Sequence, residues 1–441
     1  MKRVRLYLHL FLVTTILLVS LLSSRVASPI ANAQSATMAA TATFTQNFSG
    51  VQLNLLRWAG DPWEKATRDA AASFSTATGA QVTIDAIPYE NLREKQVLEL
   101  SSKSGAYDIV YVHPGWFGEY AKSGYLAPID DYMADPSLNP PGFSKDLYVP
   151  SILAQGNYQG KQYCIQDFVS TILLAYRTDV FAANNLKAPQ SWDDVLAAAK
   201  ALNGKDGMAG IALPGKRTGA VADVLSTMLV DEGTWYFDDN GKPALDSAKA
   251  EAAVTFYANL GKYAPTGLLN AHYDEAATAA AQGKAAQLIS LSTTLAWLDD
   301  PARSSTVGKW AYVPLKYKGN PGGELIYWNW CITADSKNPK AAYSFLRQLT
   351  SGDVQAKVAV SAFTGGATKD FYTNKDLAIK LPCLSALNEA LTNAKPQPSL
   401  TDWPKIQDAV ELAVQNAITG DKTPKQAVDA INGILTQVLG K

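Results

Sequence analysis

The sequence predicts an α/β fold that begins with a mostly parallel sheet and extends over two domains. Apolar runs bounded by turn residues alternate with amphipathic stretches, and strands that alternate with helices in this way form parallel sheets. The chain has 441 residues, which is more than one hydrophobic core usually serves. The predicted N-terminal order is strand, helix, strand, helix, strand, over residues 51–57, 63–78, 81–87, 91–103 and 107–112. The chain is then expected to break at residues 113–116 and to restart as a helix at Phe117.

Later segments carry further helix and turn signals. Residues 191–194 form an N-capping box before an amphipathic helix. Residues 235–237 and 243–245 are typical of a hairpin with a tight polar turn between them. Pro404 and Pro424 each open a C-terminal helix with one apolar face. We interpret these apolar faces as core rather than as a cofactor site.

The first 33 residues have the pattern of a secretory signal peptide. A basic segment at residues 2–5 precedes an apolar run at 6–22, and Ala-Asn-Ala at 31–33 forms a cleavage site. The alternative is an uncleaved anchor, since the apolar run is just long enough to span a bilayer. No cysteine lies near the cleavage site, which disfavours a lipid anchor. We predict export to the periplasm or the extracellular face, with 1–33 removed and 34–48 a flexible mature N-terminus.

The charge of the chain argues against nucleic acid as a partner. Removing residues 1–33 takes away four basic residues and no acidic one, and leaves 35 Lys plus Arg against 40 Asp plus Glu. The resulting net charge near −5 predicts no basic surface for nucleic acid. An apolar content of 47% and a charged content of 18% are ordinary for a globular protein.

The three cysteines allow at most one internal disulfide and leave one thiol over. None of Cys164, Cys331 and Cys383 pairs with a histidine at metal-binding spacing, and the predicted mature chain holds only His113 and His272. We therefore expect no metal and no cofactor. We interpret the cysteines as small buried apolar residues.

The stretch FGEYAKSGYLAPID at residues 117–130 carries a specific likeness. With the motifs that follow it, the stretch resembles the extracellular solute-binding proteins that serve ABC importers of sugars and oligosaccharides, the maltose-binding-protein-like family 1. Each further fragment is weak alone, but their shared order is specific. These fragments are at residues 57–60, 158–163, 174–181, 189–194, 283–286, 334–342 and 419–424.

The resemblance implies the two-lobe periplasmic-binding-protein fold (type II), in which each α/β lobe is a mostly parallel sheet flanked by helices. Strand-like crossovers would join the lobes, with the ligand in the cleft between them. The chain would cross near residues 166–171, 326–330 and 371–381, so each lobe is built from two separate segments. The implied organisation is lobe 1 from 49–167 and 328–370, and lobe 2 from 168–327 and 371–441.

Aromatic and polar residues follow the predicted strands where a ligand is expected. Ligands of open α/β sheets bind beyond the carboxyl ends of the strands. A sugar needs flat rings for its C–H face and hydrogen-bonding groups for its hydroxyls. Trp58 and Asp61 follow the first strand, and His113 and Trp116 follow the third. The alternative is that the tryptophans pack in the cores, since aromatic residues bury large areas wherever they occur.

The resemblance adds residues from the crossovers and from the second lobe. It implies a ligand contact from Asp167 at the first crossover. At the second crossover, the ring of Trp328 and the amide of Asn329 are groups that a sugar site needs. The resemblance also implies contacts from Asp223 on lobe 2 and from Trp403 near the last helices.

One departure from the family pattern leaves the identity and size of the sugar open. Some maltose-type relatives carry charged hydrogen-bonding residues after the third strand, where this chain has Pro114-Gly115-Trp116. Trp297 is also ambiguous, since it either lines the cleft or packs beneath it.

We predict a monomeric protein that captures a sugar or oligosaccharide between two hinged lobes and delivers it to an ABC transporter permease, without catalysis. One alternative is a non-sugar solute such as a polyol phosphate. A phosphate ligand would favour arginines at the edge of the site, but Arg57, Arg217 and Arg303 are too scattered in the sequence to decide this. The other is a secreted glycoside hydrolase, with Asp61 and Asp167 as its pair of carboxylates. No motif in the sequence supports this second alternative.

Overall fold

The computed structural model describes residues 46–60, 62–238, 240–317, 320–398, 400 and 402–439. The predicted signal peptide and most of the predicted flexible segment 34–48 therefore lie outside the described residues. Within these ranges, none of the helices has both the length and the apolar character that crossing a bilayer requires.

The described residues form strands and helices in alternation. The strands are β1 Gln52–Trp58, β2 Gln81–Ile87, β3 Ile109–Val112, β4 Asn157–Tyr158, β5 Lys161–Gln162, β6 Cys164–Ser170, β7 Ile172–Arg177, β8 Gln287–Leu291, β9 Trp310–Pro314, β10 Lys316–Tyr317, β11 Asn320–Pro321, β12 Glu324–Ile332 and β13 Lys395–Pro396. The helices of the N-terminal half are α1 Trp63–Thr78, α2 Tyr89–Ser102, α3 Pro114–Lys122, α4 Asp130–Ala134, α5 Pro150–Leu153, α6 Thr178–Ala183, α7 Trp192–Leu202 and α8 Ala220–Glu232. The remaining helices are α9 Ser247–Gly261, α10 Tyr273–Ala281, α11 Ser292–Leu295, α12 Pro339–Leu349, α13 Gly352–Ala362, α14 Lys369–Thr373, α15 Lys375–Lys380, α16 Leu384–Leu391, α17 Trp403–Thr419 and α18 Pro424–Leu439.

The first sheet has the strand order β13-β12-β3-β1-β2, and β6 also pairs with β12. β1 pairs in parallel with β2 and with β3, as the predicted alternation of strands and helices requires. Successive strand residues point to opposite faces, and Leu55 and Leu56 enter different cores while both are fully buried. Both faces of this sheet are therefore covered.

The second sheet has the order β8-β7-β9, and both pairings are antiparallel. The expectation of a mostly parallel sheet in each lobe is therefore wrong for these three strands. The physical reason is that β7 continues straight out of β6, so no crossover helix turns the chain before β7 joins the sheet. Next to this sheet, the described residues also form parallel bridges from Ala209 to Ala285 and from Ala212 to Leu288.

The C-terminal helices pack in a large core beside the second sheet. α9, α17 and α18 pack on one another, and the apolar faces predicted for the last two helices are buried, which confirms their interpretation as core. The buried residues of these faces include Ile406, Val410, Val414, Val428, Ile431 and Leu435.

Two strands carry the chain between the sheets. β6 ends at Ser170 in the first sheet, and β7 begins at Ile172 in the second. β12 pairs antiparallel with both β3 and β6. The third predicted crossover, at residues 371–381, is not strand-like, because this segment contains most of α14 and all of α15.

Local signals set several element boundaries. The helix predicted at 63–78 and the strand predicted at 81–87 have the predicted bounds. The prediction that a helix restarts at Phe117 is wrong, because α3 already begins at Pro114. Proline is favoured in a first helical turn, and the Nδ1 atom of His113 accepts a hydrogen bond from the Gly115 amide at 3.1 Å, which caps the helix.

Cys164 and Cys331 form a disulfide between β6 and β12. The interpretation of these two cysteines as merely apolar core residues is therefore wrong. They are separated by 167 residues in sequence but lie directly opposite each other in the strand pair, with 4.4 Å between their Cα atoms. Cys383 is buried and free.

We expect the disulfide to stabilise the fold without contributing to ligand affinity. Changing both Cys164 and Cys331 to Ala should lower the free energy of unfolding by about 2–4 kcal/mol, the usual contribution of a native disulfide. Affinity should stay within about twofold, because Cys331 lies three residues, or about 10 Å, along β12 from Trp328. Denaturant unfolding and calorimetric titration measure the two quantities.

Cys383→Ala is the matched control, since it truncates a buried cysteine without breaking a disulfide. A double variant that is no less stable than this control would contradict the prediction.

Candidate functional site

Four strands of the first sheet bring side chains to one edge. β1, β2 and β3 run parallel, so their carboxyl ends at Trp58, Ile87 and Val112 lie on the same side. β12 runs the other way and pairs Asn329 with Val112, so Trp328 arrives at the same edge from the opposite direction.

The side chains at this edge form an aromatic surface, which we define as Trp58, Tyr89, His113, Trp116 and Trp328. The ring centre of Trp328 lies 5.9 Å from that of Trp58, 6.0 Å from that of Trp116 and 5.2 Å from that of His113. Tyr89 stacks on Trp116 at 6.2 Å with an angle of 15° between the rings. Four of the predicted ligand-binding residues are thus brought together.

His113 supplies a fixed polar group at this surface. Burial lowers its pKa to about 4, so the ring is neutral at pH 7. Its Nδ1 atom accepts the bond from the Gly115 amide, which places the remaining proton on Nε2. The neutral ring is therefore a hydrogen-bond donor through Nε2.

A buried arginine supports the aromatic surface from below. The guanidinium of Arg57 lies 4.9 Å from the ring centre of Trp58 and 5.2 Å from that of Tyr111, close enough for cation–π attraction. Arg57 also donates to the carbonyl of Trp58 at 2.9 Å and to that of Trp63 at 2.7 Å. These bonds fix the turn that follows β1.

Asp167 lies beside this support rather than on the aromatic surface. Its Oδ2 atom accepts a hydrogen bond from the Tyr111 hydroxyl at 2.6 Å. Burial raises the pKa of Asp167, while this hydrogen bond and the charge of Arg57 lower it. Asp167 therefore joins the first crossover to the residues beneath the rings.

Asp223 belongs to a separate group of carboxyl residues on the second-sheet side. Its Oδ2 atom accepts from the Tyr273 hydroxyl at 3.0 Å, and its Oδ1 atom accepts from the Gln397 amide at 3.4 Å. Glu324 is fully buried at the start of β12, and burial together with the charge of Asp223 raises its pKa well above the usual range. Burial, reinforced by the charge of Glu411, raises the pKa of Asp223 to about 7.

Two further predicted residues, Asn329 and Trp403, do not lie on the aromatic surface. Asn329 is fully buried, and its side-chain amide bonds to that of Gln166 at 2.9 Å. Trp403 is 7% exposed and packs against Tyr236 in the large core. Asp61 lies outside the described residues. Ligand contact by these three residues stays a prediction.

Sequence reasoning missed Tyr89 and the support beneath the rings. Tyr89 directly follows β2 and Pro88, so the rule that located Trp58 and His113 at strand ends would also have found it. No sequence pattern signals that Arg57 turns inward beneath the tryptophans. Within the described ranges, no group of three His, Cys, Asp or Glu residues is arranged to hold a metal ion.

The family model of the bacterial extracellular solute-binding proteins matches residues 60–356. The chain belongs to this family. A probable ABC transporter-binding protein of Deinococcus radiodurans is 25% identical over 427 residues, with 93% of this chain and 96% of the relative covered. The mannitol-binding protein of Pseudomonas aeruginosa is 23% identical, with 77% and 82% covered.

Two solved structures share the fold. The solute-binding protein of an ABC transporter from Agrobacterium radiobacter K84, in complex with ribitol, is 26% identical with a TM-score of 0.73, and the match covers 89% of this chain and all of that one. The maltose-bound MalE3 of T. maritima is 22% identical with a TM-score of 0.75, covering 88% of this chain and all of that one. The predicted two-lobe α/β fold is thereby confirmed.

Trp116 and Trp330 separate ligand contact from packing. Trp116 is partly exposed and Trp330 is fully buried. Trp116→Ala should reduce ligand affinity by about ten- to two-hundred-fold, the effect of losing about 1.5–3 kcal/mol of apolar contact, with little change in stability. Trp330→Ala should instead lower the free energy of unfolding by about 3–5 kcal/mol.

Thermal unfolding and calorimetric titration of both variants test this contrast. A Trp116 variant that unfolds much earlier but binds normally would remove Trp116 from the site.

The raised pKa of Asp223 predicts a pH-dependent stability of the ligand-free protein. Between its ordinary value near 4 and about 7, the folded state keeps a proton that the unfolded state loses. The stability due to this proton is complete below pH 4 and is lost as the pH rises through 7. Asp223→Asn should therefore reduce the fall in unfolding free energy across this range.

Denaturant unfolding at pH 4.5, 5.5, 6.5 and 7.5 measures the effect. Leu412→Ala, a change at a side chain that is 41% exposed on α17 and carries no titratable group, is the control and should leave the pH profile unchanged. Parallel profiles for wild type and Asp223→Asn would contradict the prediction.

Proposed function

We propose that the protein captures a sugar or oligosaccharide between its two lobes and delivers it to an ABC transporter permease. The single observation that carries the proposal is the aromatic surface at the carboxyl ends of β1, β2 and β3, combined with membership in the solute-binding family. Flat rings cover the C–H face of a sugar, and the Nε2 donor of His113 meets a hydroxyl.

Capture depends on closure of the lobes around the ligand. The proposed division remains 49–167 with 328–370 for lobe 1, and 168–327 with 371–441 for lobe 2. β6 and β12 run through two of these boundaries, so bending at these strands moves one lobe against the other. A ligand that contacts both lobes only in the closed form shifts the population toward that form.

The other parts of the proposal concern location and partners. The protein acts as a monomer outside the cytoplasm, after export directed by residues 1–33. The family consists of extracellular proteins, which supports this location. The permease that receives the solute is the expected protein partner.

A polyol is the second candidate ligand, because the relatives include a mannitol-binding protein and a ribitol complex. A polyol phosphate is less well supported. Arg57 is engaged beneath the aromatic rings, Arg217 pairs with Asp408, and Arg303 pairs with Asp300. A phosphate would compete with these existing partners of the arginines.

Catalysis by Asp61 and Asp167 has no geometric support. Glycoside hydrolysis needs two carboxyl groups at a defined separation across the sugar bond. Asp61 lies outside the described part of the chain, and Asp167 is bonded to Tyr111. Membership in a family of binding proteins also supports a role without catalysis.

The test combines calorimetric titration with small-angle scattering of the secreted protein. A panel of sugars, oligosaccharides and polyols should contain a ligand that binds and is recovered unchanged. Saturation with this ligand should decrease the radius of gyration, because closure brings the lobes together.

Each result bears on a separate part of the proposal. An unchanged radius of gyration with a verified ligand would contradict the closing mechanism. Cleavage of the bound sugar would show an enzyme instead.

A further inference from the structure

The aromatic surface by itself suits two chemical classes of solute. Flat rings cover the C–H face of a sugar, and the faces of Trp and Tyr rings also attract ammonium cations. The five side chains of the surface are uncharged at pH 7, because burial lowers the pKa of His113 to about 4 and raises that of Tyr89. The surface residues alone therefore do not distinguish a neutral solute from a cationic one.

A positive charge lies directly beneath these rings. Arg57 is fully buried, and its guanidinium lies 4.9 Å from the ring centre of Trp58 and 5.2 Å from that of Tyr111. An arginine side chain keeps its proton in proteins. The hydrogen bonds of this guanidinium go to the carbonyls of Trp58 and Trp63 and to the hydroxyl of Thr67, all of which are uncharged groups. These bonds hold the charge in place without neutralising it.

The charge of Arg57 opposes a second cation on the surface. A cation that contacts Trp58 from the side opposite Arg57 would lie roughly 9 Å from the guanidinium, which is the 4.9 Å to the ring centre plus about 4 Å of van der Waals contact. At an effective dielectric constant of about 20, the repulsion between two like charges at this separation lowers affinity about tenfold or more. A neutral solute of the same shape does not meet this repulsion.

Asp167 carries the opposite charge, but it contacts a ring that is not part of the aromatic surface. Its Oδ2 atom accepts the hydrogen bond from the Tyr111 hydroxyl at 2.6 Å, and the Tyr111 ring stacks on that of Trp328 with 4.8 Å between the ring centres. Burial raises the pKa of Asp167, whereas this hydrogen bond and the charge of Arg57 lower it and favour the ionised form. The carboxylate therefore offsets part of the effect of Arg57, whose guanidinium contacts Trp58 of the surface directly.

We infer that Arg57 is a specificity-determining residue of the solute site, and that its buried charge selects neutral solutes against cationic ones of the same shape. Arg57 acts through the ring of Trp58 and does not touch the solute. The inference rests on the proposed function and narrows its substrate class to uncharged polyhydroxyl compounds, which excludes amino sugars and quaternary ammonium compounds.

Calorimetric titration of the secreted protein with matched neutral and cationic probes tests this selection. The neutral probes are glucose, mannose, galactose, maltose and mannitol, and each is paired with a derivative that carries an amine in place of one hydroxyl. At about pH 6 the amine is protonated, so the two members of a pair differ mainly in charge. The neutral member should bind about tenfold or more tightly, a difference of about 1.4 kcal/mol.

Two substitutions beneath the rings should change this ratio of affinities in opposite directions. Arg57→Gln removes the positive charge but keeps a hydrogen-bond donor for the carbonyls, so the ratio should fall to about threefold or less. Asp167→Asn removes the opposing negative charge, so the ratio should rise above that of the wild type. Arg57→Lys keeps the positive charge and should retain the preference for the neutral probe.

A merely structural role of Arg57 and Asp167 predicts a different pattern. Disturbed packing would lower the affinity for both members of a pair together and leave their ratio unchanged. The loss of one ligand hydroxyl is likewise common to the wild type and all variants, so it cancels when their ratios are compared. Leu412→Ala, at an exposed side chain of α17, is the control and should leave both affinities unchanged.

The outcomes separate this inference from the proposed function. Equal affinity of the wild type for both members of each pair, or an unchanged ratio in the folded Arg57→Gln and Asp167→Asn variants, would overturn the inference and leave solute capture intact. If Arg57→Gln does not fold, a ratio that does not rise in Asp167→Asn overturns the inference by itself. If none of the neutral probes binds, the proposed function fails and this inference fails with it.

Discussion

The antiparallel pairing of β6 with β12 is the constraint on which the rest of the structure depends. These strands lie next to each other in the first sheet, and β6 leads directly into β7 of the second sheet. The disulfide between Cys164 and Cys331 ties the pair together. The same pairing places Trp328 on the aromatic surface and Asp167 beneath it. Stability, the path between the lobes and the site are thus fixed by one pair of strands.

The residue that supports the aromatic surface, Arg57, is charged and yet buried, which is unusual. Arg57 is fully buried, and burial lowers its pKa. The cost of removing this charge from water is offset by carbonyl acceptors, by the faces of the neighbouring rings and by the nearby carboxyl group of Asp167. The rings above it therefore rest on a defined layer, which favours a binding surface that is already formed before the ligand arrives.

Much of the fold and part of the site could be predicted from local patterns. The spacing of apolar residues and the turn residues between them predicted the bounds of α1 and β2. The rule that ligands bind beyond strand ends selected Trp58, His113 and Trp116, which the structure places together. The same patterns failed at α3, where Pro114 was interpreted as a break although proline suits a first helical turn. They also failed at the second sheet, because strand direction depends on how a strand enters the sheet and not on its own residues.

The sequence by itself determined the alternation of strands and helices. It also carries the resemblance that predicted two lobes, and it predicts an export signal. Only the tertiary structure decided which cysteines pair and that Asn329, Trp403 and Glu324 are buried. The physical reason is distance along the chain. Helix and strand propensities act over a few residues, whereas the partner of Cys164 is 167 residues away and is brought near only when the strands pair.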